Sequence, residues 1–350
     1  MMQFMSDVCR IPPFELRRVI ADILVKHEIR PTDAHAQAEI WVEADLRGQP
    51  SHGVQRLFTM LGRIRQGRVK TDSAPTFTWL KPAVLSVDGD DGLGAPTALG
   101  VVDALPKAAR SQGVSVGVVR RAHHLGMLSP YVERMASEGF VGLALCTSEA
   151  LVHPWGGFEP LVGTNPLAIA LPVEGQSPIS VDMSTGATSR GRILHHALVD
   201  QPLEPGWAVD AHGVPTTDPQ AAIDGAISPF GGPKGYALGL AIEVLVASLT
   251  GTALGTAVTG TLDETEPVTK GDVFLCIDLG VNRVPHMAEH LNEYLAALRS
   301  SSPVPGGAGV LVPGDRARTV RLRNETLGVP VDAGLWLKIQ TIHEAEKDEG

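Results

Sequence analysis

Histidine, arginine and lysine stand at three places where their neighbours suggest chemistry. Ser51-His52 is followed by Arg56. A helix starting at Ser51 would put His52 and Arg56, four residues apart, on one face, where a guanidinium can clamp a carboxylate beside a titratable ring. His123-His124 directly follows the apolar run Val114 to Val119, and an imidazole at a strand end can donate or accept a proton near neutral pH. Gly231-Gly232-Pro233-Lys234-Gly235-Tyr236 opens an apolar helical stretch, so free N–H groups, a positive dipole end and an ammonium meet there, a combination suited to a phosphate or carboxylate. Each group also has an ordinary reading: a surface ion pair for Arg56, a hydrogen-bonded structural ring for each histidine, a solvated lysine at a glycine-rich helix entry. His195-His196 reads as structural. No HExxH and no carboxylate at ligand spacing accompanies the histidines, so no metal site is expected.

The elements that position these residues fall into two textures. Leu16, Val19, Ile20, Ile23 and Leu24 recur at helical spacing behind Pro12-Pro13. Thr32 is a candidate N-cap for a second helix ending near Gly48, and Ser51 for a third carrying Val54, Leu57, Phe58 and Leu61. From Ala83 short apolar runs alternate with glycine: Val84–Val87, Val114–Val119, Val141–Leu145, Leu167–Leu171, Ile179–Val181 and Val273–Ile277 read as strands. Helices are predicted over Thr97–Arg110, Ser129–Glu138, Tyr236–Leu249 (apolar nearly all round, hence buried) and His286–Arg299. Pro202–Pro229 reads as a long surface excursion, and Ala308–Val312 as a last strand before a polar tail. The loop Gly89 to Thr97 follows a strand and precedes a helix as a dinucleotide fingerprint should. It fails in detail, with Thr97 in the third glycine's place and Pro96 inside it, so a glycine-rich turn is expected instead.

Composition bounds the function. A chain of 350 residues, 43% hydrophobic, can bury a large core in two or three packed lobes. A formal net charge of -10 and no basic stripe argue against nucleic acid as partner. No apolar stretch is long enough to span a bilayer, Met1 to Arg18 lack a secretory pattern, and Cys9, Cys146 and Cys276 lie far apart without CxxC spacing. The expected setting is therefore the cytoplasm, with no membrane partner.

Seven motifs, in order along nearly the whole chain, resemble one family. They are Ser51-His52-Gly53-Val54-Gln55-Arg56, His124-Leu125-Gly126, Pro154-Trp155-Gly156-Gly157, Gly163-Thr164-Asn165-Pro166, Asp182-Met183-Ser184, Pro215-Thr216-Thr217-Asp218-Pro219 and Gly231 to Tyr236. Together they resemble the type-2 malate/L-lactate dehydrogenase family, which includes ureidoglycolate, sulfolactate and diketogulonate enzymes and cyclic imino-acid reductases. The resemblance implies a non-Rossmann α/β fold: a cofactor and catalytic lobe (76–279) on a largely antiparallel sheet, and a helical, dimerisation lobe from both chain ends (1–75 and 280–350). It also implies a homodimer and NAD or NADP as cofactor. The implied reaction moves a hydride between nicotinamide and a small 2-hydroxy/2-oxo acid or, alternatively, a cyclic 2-imino acid; an inactive cofactor-binding homologue is the third reading.

Residue by residue, the resemblance makes His124 the general acid/base, with His52 orienting the reacting group and Ser51, Arg56 and Arg121 at the substrate. Ser148, Asp182, Met183, Ser184, Gly232, Lys234, Gly314 and Asp315 become cofactor contacts. The chain departs from the family's pattern at Met60, where members often carry Tyr, at Arg121-Ala122, where Asn-Ser is common, and at Pro233, where His is common. These departures point to a specialised substrate.

Overall fold

A computed structural model describes residues 8–345 apart from residue 283. The first seven residues of the segment inspected for a leader and the last five of the polar tail lie outside them. Behind the prolines the chain forms helix α1 (Pro13–Lys26), then α2 (Pro31–Leu46) and α3 (Arg56–Arg65). Thr32 does not cap α2: Pro31, whose ring presets a helical φ, takes the first position and Arg30 the cap. Nor does Ser51 start α3. Pro50–His52 is a single 3-10 turn, after which the buried carboxylate of Asp45 accepts the Val54 N–H at 2.8 Å and holds the chain extended at Gly53. His52 and Arg56 therefore belong to successive elements, not to one helix face.

The six apolar runs, with an edge strand at Thr76–Lys81 that was not expected, assemble one seven-stranded sheet. Its spatial order is Thr76–Lys81, Val84–Gly92, Val114–Ala122, Gly271–Asp278, Phe140–Cys146, Leu167–Leu171, Ile179–Met183. Every pairing is antiparallel except that of Val84–Gly92 with Val114–Ala122, which is parallel and bridged by α4 (Gly94–Gln112). On one face Leu85, Val119, Ala144 and Phe274 pack against Val101 and Leu105 of α4 and Tyr131 and Met135 of α5 (Ser129–Ser137). On the other, Val118 and Val273 meet Ile242 and Val246 of the Pro233–Thr250 helix. Cover on both faces explains why the strands read as unbroken apolar runs; each such fully buried side chain contributes about 1.5–3 kcal/mol.

The two chain ends share a second core. Strand Val8–Ile11 pairs antiparallel with Val329–Asp332, and Leu16, Ile20, Leu57, Val329 and Ile339 pack together. The tail is thus not an unstructured polar segment: it holds helices Asp315–Leu327 and Ala333–Ala345, while Ala308–Val312, expected as a strand, has no regular structure. Asp315–Leu327 buries only Asn324, so there was no apolar period to read.

Two other expectations are corrected. Pro202–Pro229 is not a mere excursion. Its short strands Ala208–Val209, Pro215–Thr216 and Ala226–Ile227 join Ala150–Val152 and Val162–Gly163 in a five-stranded sheet, over a core with Val152, Ile193, Leu203 and Ala222. Two-residue strands are too short to display a period of two. The Pro233–Thr250 helix is buried on one face only: Leu238, Leu240, Val244, Leu245 and Leu249 are exposed.

Candidate active site

Antiparallel pairing brings three strand ends to one edge of the sheet. Val114–Ala122 runs out into His123-His124 and Phe140–Cys146 into Thr147-Ser148-Glu149, while Gly271–Asp278, lying between them, begins beside Lys270. The first turn of α4 presses on the histidines: a Cβ at Gly94 would lie 2.1 Å from the His123 carbonyl oxygen and 2.7 Å from that of His124. The glycines of the failed fingerprint thus seat the histidine pair, and the Ala95 N–H is taken by the Gln37 side chain at 3.2 Å. From the opposite side the turn after α2 delivers Ser51 and His52, and α3 delivers Arg56.

The imidazoles of His52 and His124 stack with centroids 5.7 Å apart and planes inclined by 22°. Ser51 Oγ lies 3.0 Å from His52 Nδ1. His124 Nδ1 accepts the Gly126 N–H at 3.2 Å, so a neutral His124 carries its proton on Nε2, an assignment that follows from the bond. Arg56 Nε donates to the Ser51 carbonyl at 2.8 Å, and among the described residues no carboxylate is within ion-pair distance of its guanidinium. A cleft beside them is lined by Trp41, Arg56, Thr59, Met60, His124 and Thr261, among others. Glu149 holds its rim, accepting the N–H groups of Thr261 and Leu262 at 2.7 and 2.9 Å. His123, in contrast, is saturated, with Nε2 on the Arg68 carbonyl at 2.9 Å and Nδ1 facing Arg63 Nε at 3.3 Å. It is structural.

Burial first, and the Arg56 charge second, depress the basicity of both stacked rings: His52 falls to about 4, and His124, also facing His52 and Lys270, well below the ordinary histidine range. Both rings are therefore neutral at neutral pH. A carboxylate bound on Arg56 would cancel the second of these causes and raise His124 toward the range in which it can deliver a proton. Behind the cleft Lys270 Nζ and Asp272 Oδ2 form a buried ion pair at 2.5 Å. Burial opposes the Lys270 charge, but Asp272 outweighs it and keeps the lysine protonated.

Most expected cofactor residues lie along one path. Ser148 Oγ is 2.9 Å from Thr164 Oγ1, the Thr164 carbonyl accepts the Thr185 N–H at 2.7 Å, and the Thr185 carbonyl accepts the Phe230 N–H at 3.1 Å. Phe230 opens the turn through Gly231 and Gly232, at φ 59° and 65°, into the helix whose second residue is the exposed Lys234. A Cβ on Gly232 would meet the Trp155 ring at 3.0 Å. Ser184 precedes Thr185, and Asp182 Oδ2 caps α5 through the N–H groups of Leu128 and Ser129 at 2.9 and 2.7 Å. Asp182 and Met183 are exposed at the strand's end. A helix N-terminus with a lysine and a glycine cradle fits the pyrophosphate of a dinucleotide, whereas burial raises the proton affinity of the Asp182 carboxyl, which is engaged at the start of α5.

Two sets of expected residues sit elsewhere. Arg121, at φ 54°, pairs with Asp88, Asp90 and Asp91 at 3.4, 3.2 and 2.7 Å, which occupies its fork away from the cleft. Gly314-Asp315 lies by the opposite end of strand Ile179–Met183: Ser180 N–H donates to the Pro313 carbonyl, and Asp315 is held by Arg299 and Arg318, the hydrogen bond from Arg299 first among the causes that lower its carboxyl to about 2.

Residues 11–340 match the family model described as malate/L-lactate dehydrogenase. The chain belongs to the malate/L-lactate dehydrogenase family. It is thus an NAD(P)-dependent oxidoreductase. It is 33% identical over 336 residues to an L-sulfolactate dehydrogenase of Methanocaldococcus jannaschii, covering 95% of this chain and 96% of that one. It is 34% identical over 337 residues to a Δ1-pyrroline-2-carboxylate reductase of Pseudomonas fluorescens, covering 95% and 98%. A solved dehydrogenase from Sinorhizobium meliloti superposes with a TM-score of 0.91 at 40% identity, over 98% of this chain and 100% of that one.

Sequence reasoning missed Trp41, Glu149, Thr261 and the Lys270–Asp272 pair. Only the last left a trace, a Lys-Gly-Asp opening to the apolar run Val273–Ile277. Among the described residues no group of three or more His, Cys, Asp or Glu is placed to hold a metal, and no helix is long and apolar enough to cross a membrane.

Proposed function

We propose that this enzyme reduces a small 2-oxo acid to the 2-hydroxy acid, and the reverse, with His124 as proton donor and acceptor. The observation that carries this reading is the His52–His124 stack beside a cleft that His124 and Arg56 line, where among the described residues Arg56 has no carboxylate within ion-pair distance and feels Glu149 only from further off. When bound, the nicotinamide supplies or takes hydride at C2 of the acid. Arg56 holds the carboxylate and so fixes C2; His52, kept in place by Ser51, orients the reacting oxygen. In reduction the doubly protonated His124, its Nδ1 released from the Gly126 N–H, delivers the Nε2 proton to the oxygen as negative charge develops there, and in oxidation the resulting Nδ1–H tautomer takes it back at Nε2. Ser148, Asp182, Met183, Ser184, Gly232 and Lys234 line the cofactor's path, and Arg121 braces the strand that ends at His124. The Gly314-Asp315 turn is assigned to the cofactor's far end.

A cyclic 2-imino acid is the second reading. One guanidinium with no carboxylate at ion-pair distance among the described residues, beside the buried, apolar Met60, fits one carboxylate and an apolar remainder better than a dianion. Consumption of NADH or NADPH with pyruvate, oxaloacetate, 3-sulfopyruvate and Δ1-pyrroline-2-carboxylate tests both readings. Turnover of oxo acids alone supports the first, turnover of the imino acid alone the second, and silence with every acid would defeat both.

The homodimer is proposed on the exposed half of the Pro233–Thr250 helix, because the five large apolar side chains along its two edges are costly to leave in water. On this reading residues 76–279 form the cofactor lobe, with the chain ends as the helical lobe. Val244→Glu with Leu245→Glu is expected to convert a dimer to a monomer in light scattering. A wild-type monomer, or a doubly substituted protein that stays dimeric, would remove this face from the assembly.

A further inference from the structure

One cleft residue is left with an unmet hydrogen bond. Trp41, on α2, is 0% exposed and lines the cleft together with Arg56 and His124. Its indole Nε1–H is buried with no acceptor among the described residues. A buried donor without a partner is destabilising, and an indole can only donate. The atom that satisfies it must therefore be an acceptor. Of the side chains that line the cleft, Arg56 can only donate, Nδ1 of His124, in the loop after Val114–Ala122, is already engaged by Gly126, and the Thr59 and Thr261 hydroxyls make no hydrogen bond to the indole.

We propose that Trp41 is a substrate-binding residue whose Nε1–H donates to a carboxylate oxygen of the bound acid, alongside Arg56. The proposal rests on the reading of the cleft as the acid's site. Arg56 supplies charge and Trp41 a directed neutral donor, so the carboxylate is fixed in rotation as well as in place, as transfer at C2 requires. Trp41 also keeps an aromatic wall against the rest of the substrate. Because a carboxylate is common to 2-oxo and cyclic 2-imino acids, the role holds for either reacting group.

Trp41→Phe keeps most of the ring and removes the donor. The probe is oxalate, titrated calorimetrically into the enzyme saturated with NADPH, a measurement that needs no turnover. Oxalate is expected to bind about tenfold more weakly to Trp41→Phe, the loss of one hydrogen bond. NADPH affinity should be unchanged and the melting temperature no lower than the smaller ring accounts for. Equal oxalate affinity in the two proteins, or no oxalate binding by the wild type, overturns the proposal. In the wild type the 15N-labelled Trp41 indole resonance, assigned with whichever of Trp41→Phe and Trp41→Tyr folds, should shift on adding oxalate; an unmoved resonance overturns it too. Turnover of the acids above with equal oxalate affinities would remove Trp41 alone. A tenfold difference in oxalate affinity without any turnover would leave a carboxylate site and remove the dehydrogenase reading.

Discussion

His124→Ala is expected to lower kcat by about 10²–10⁴-fold while the affinity for NADPH stays unchanged, since proton transfer by a positioned side chain contributes on that order. The ring lies in the cleft with Arg56, separate from the path through Ser148, Ser184 and Lys234, so the two readouts come apart. The pH profile gives a second check. His124 must be cationic to donate, and burial, then Arg56, His52 and Lys270, hold its proton affinity down. The wild-type rate of reduction should therefore fall as pH rises through the pKa of His124 in the complex, where a carboxylate on Arg56 has raised it. In the variant this limb should be absent. Turnover that survives the substitution, with the limb intact, would remove His124 from the mechanism.

Gly94→Ala is expected to be nearly as damaging, although Gly94 touches no substrate. In an ordinary helix the change would gain about 0.5–1 kcal/mol. Here the new Cβ would stand 2.1 Å from the His123 carbonyl oxygen and 2.7 Å from the His124 carbonyl oxygen, and both are backbone atoms that cannot swing aside. Either α4 or the His123–His124 segment must move. Overpacking of this kind costs about 3 kcal/mol, and a misplacement near 1 Å at a reacting group costs about 10²-fold in rate. Thermal unfolding and kcat should fall together. A variant as stable and as fast as the wild type would mean that the α4 contact does not set the position of His124.

The sequence was most legible where packing is periodic or where a motif is rigid. Six of the seven sheet strands announced themselves by their apolar runs, the exposed edge strand Thr76–Lys81 did not, and α1 did because its apolar residues keep one face. Asp315–Leu327 and the two-residue strands between Ala208 and Ile227 carry no such period, so they were read as tail and loop. The chemistry split in the same way. Ser51, His52, Arg56 and His124 stood out as reactive types in short motifs, and the fold does bring them together. Trp41 in the cleft, Glu149 at its rim and Lys270 behind it come from three distant segments, and only the packing of α2 against the strand ends discloses them. Arg121 shows the converse: it is two residues before His123 in sequence, but the positive φ turns its side chain toward Asp88, Asp90 and Asp91. The exposed face of the Pro233–Thr250 helix could not be distinguished from a buried one by composition, since apolar residues at an interface and in a core look alike.

The most direct measurement uses reduced nicotinamide cofactor carrying deuterium at C4 and whichever acid is turned over. If the cleft transfers hydride as described, mass spectrometry and NMR of the product should find the deuterium on C2, with solvent protons only on the oxygen or nitrogen. Product whose C2 hydrogen comes from solvent, or product formed without cofactor consumption, would contradict the account.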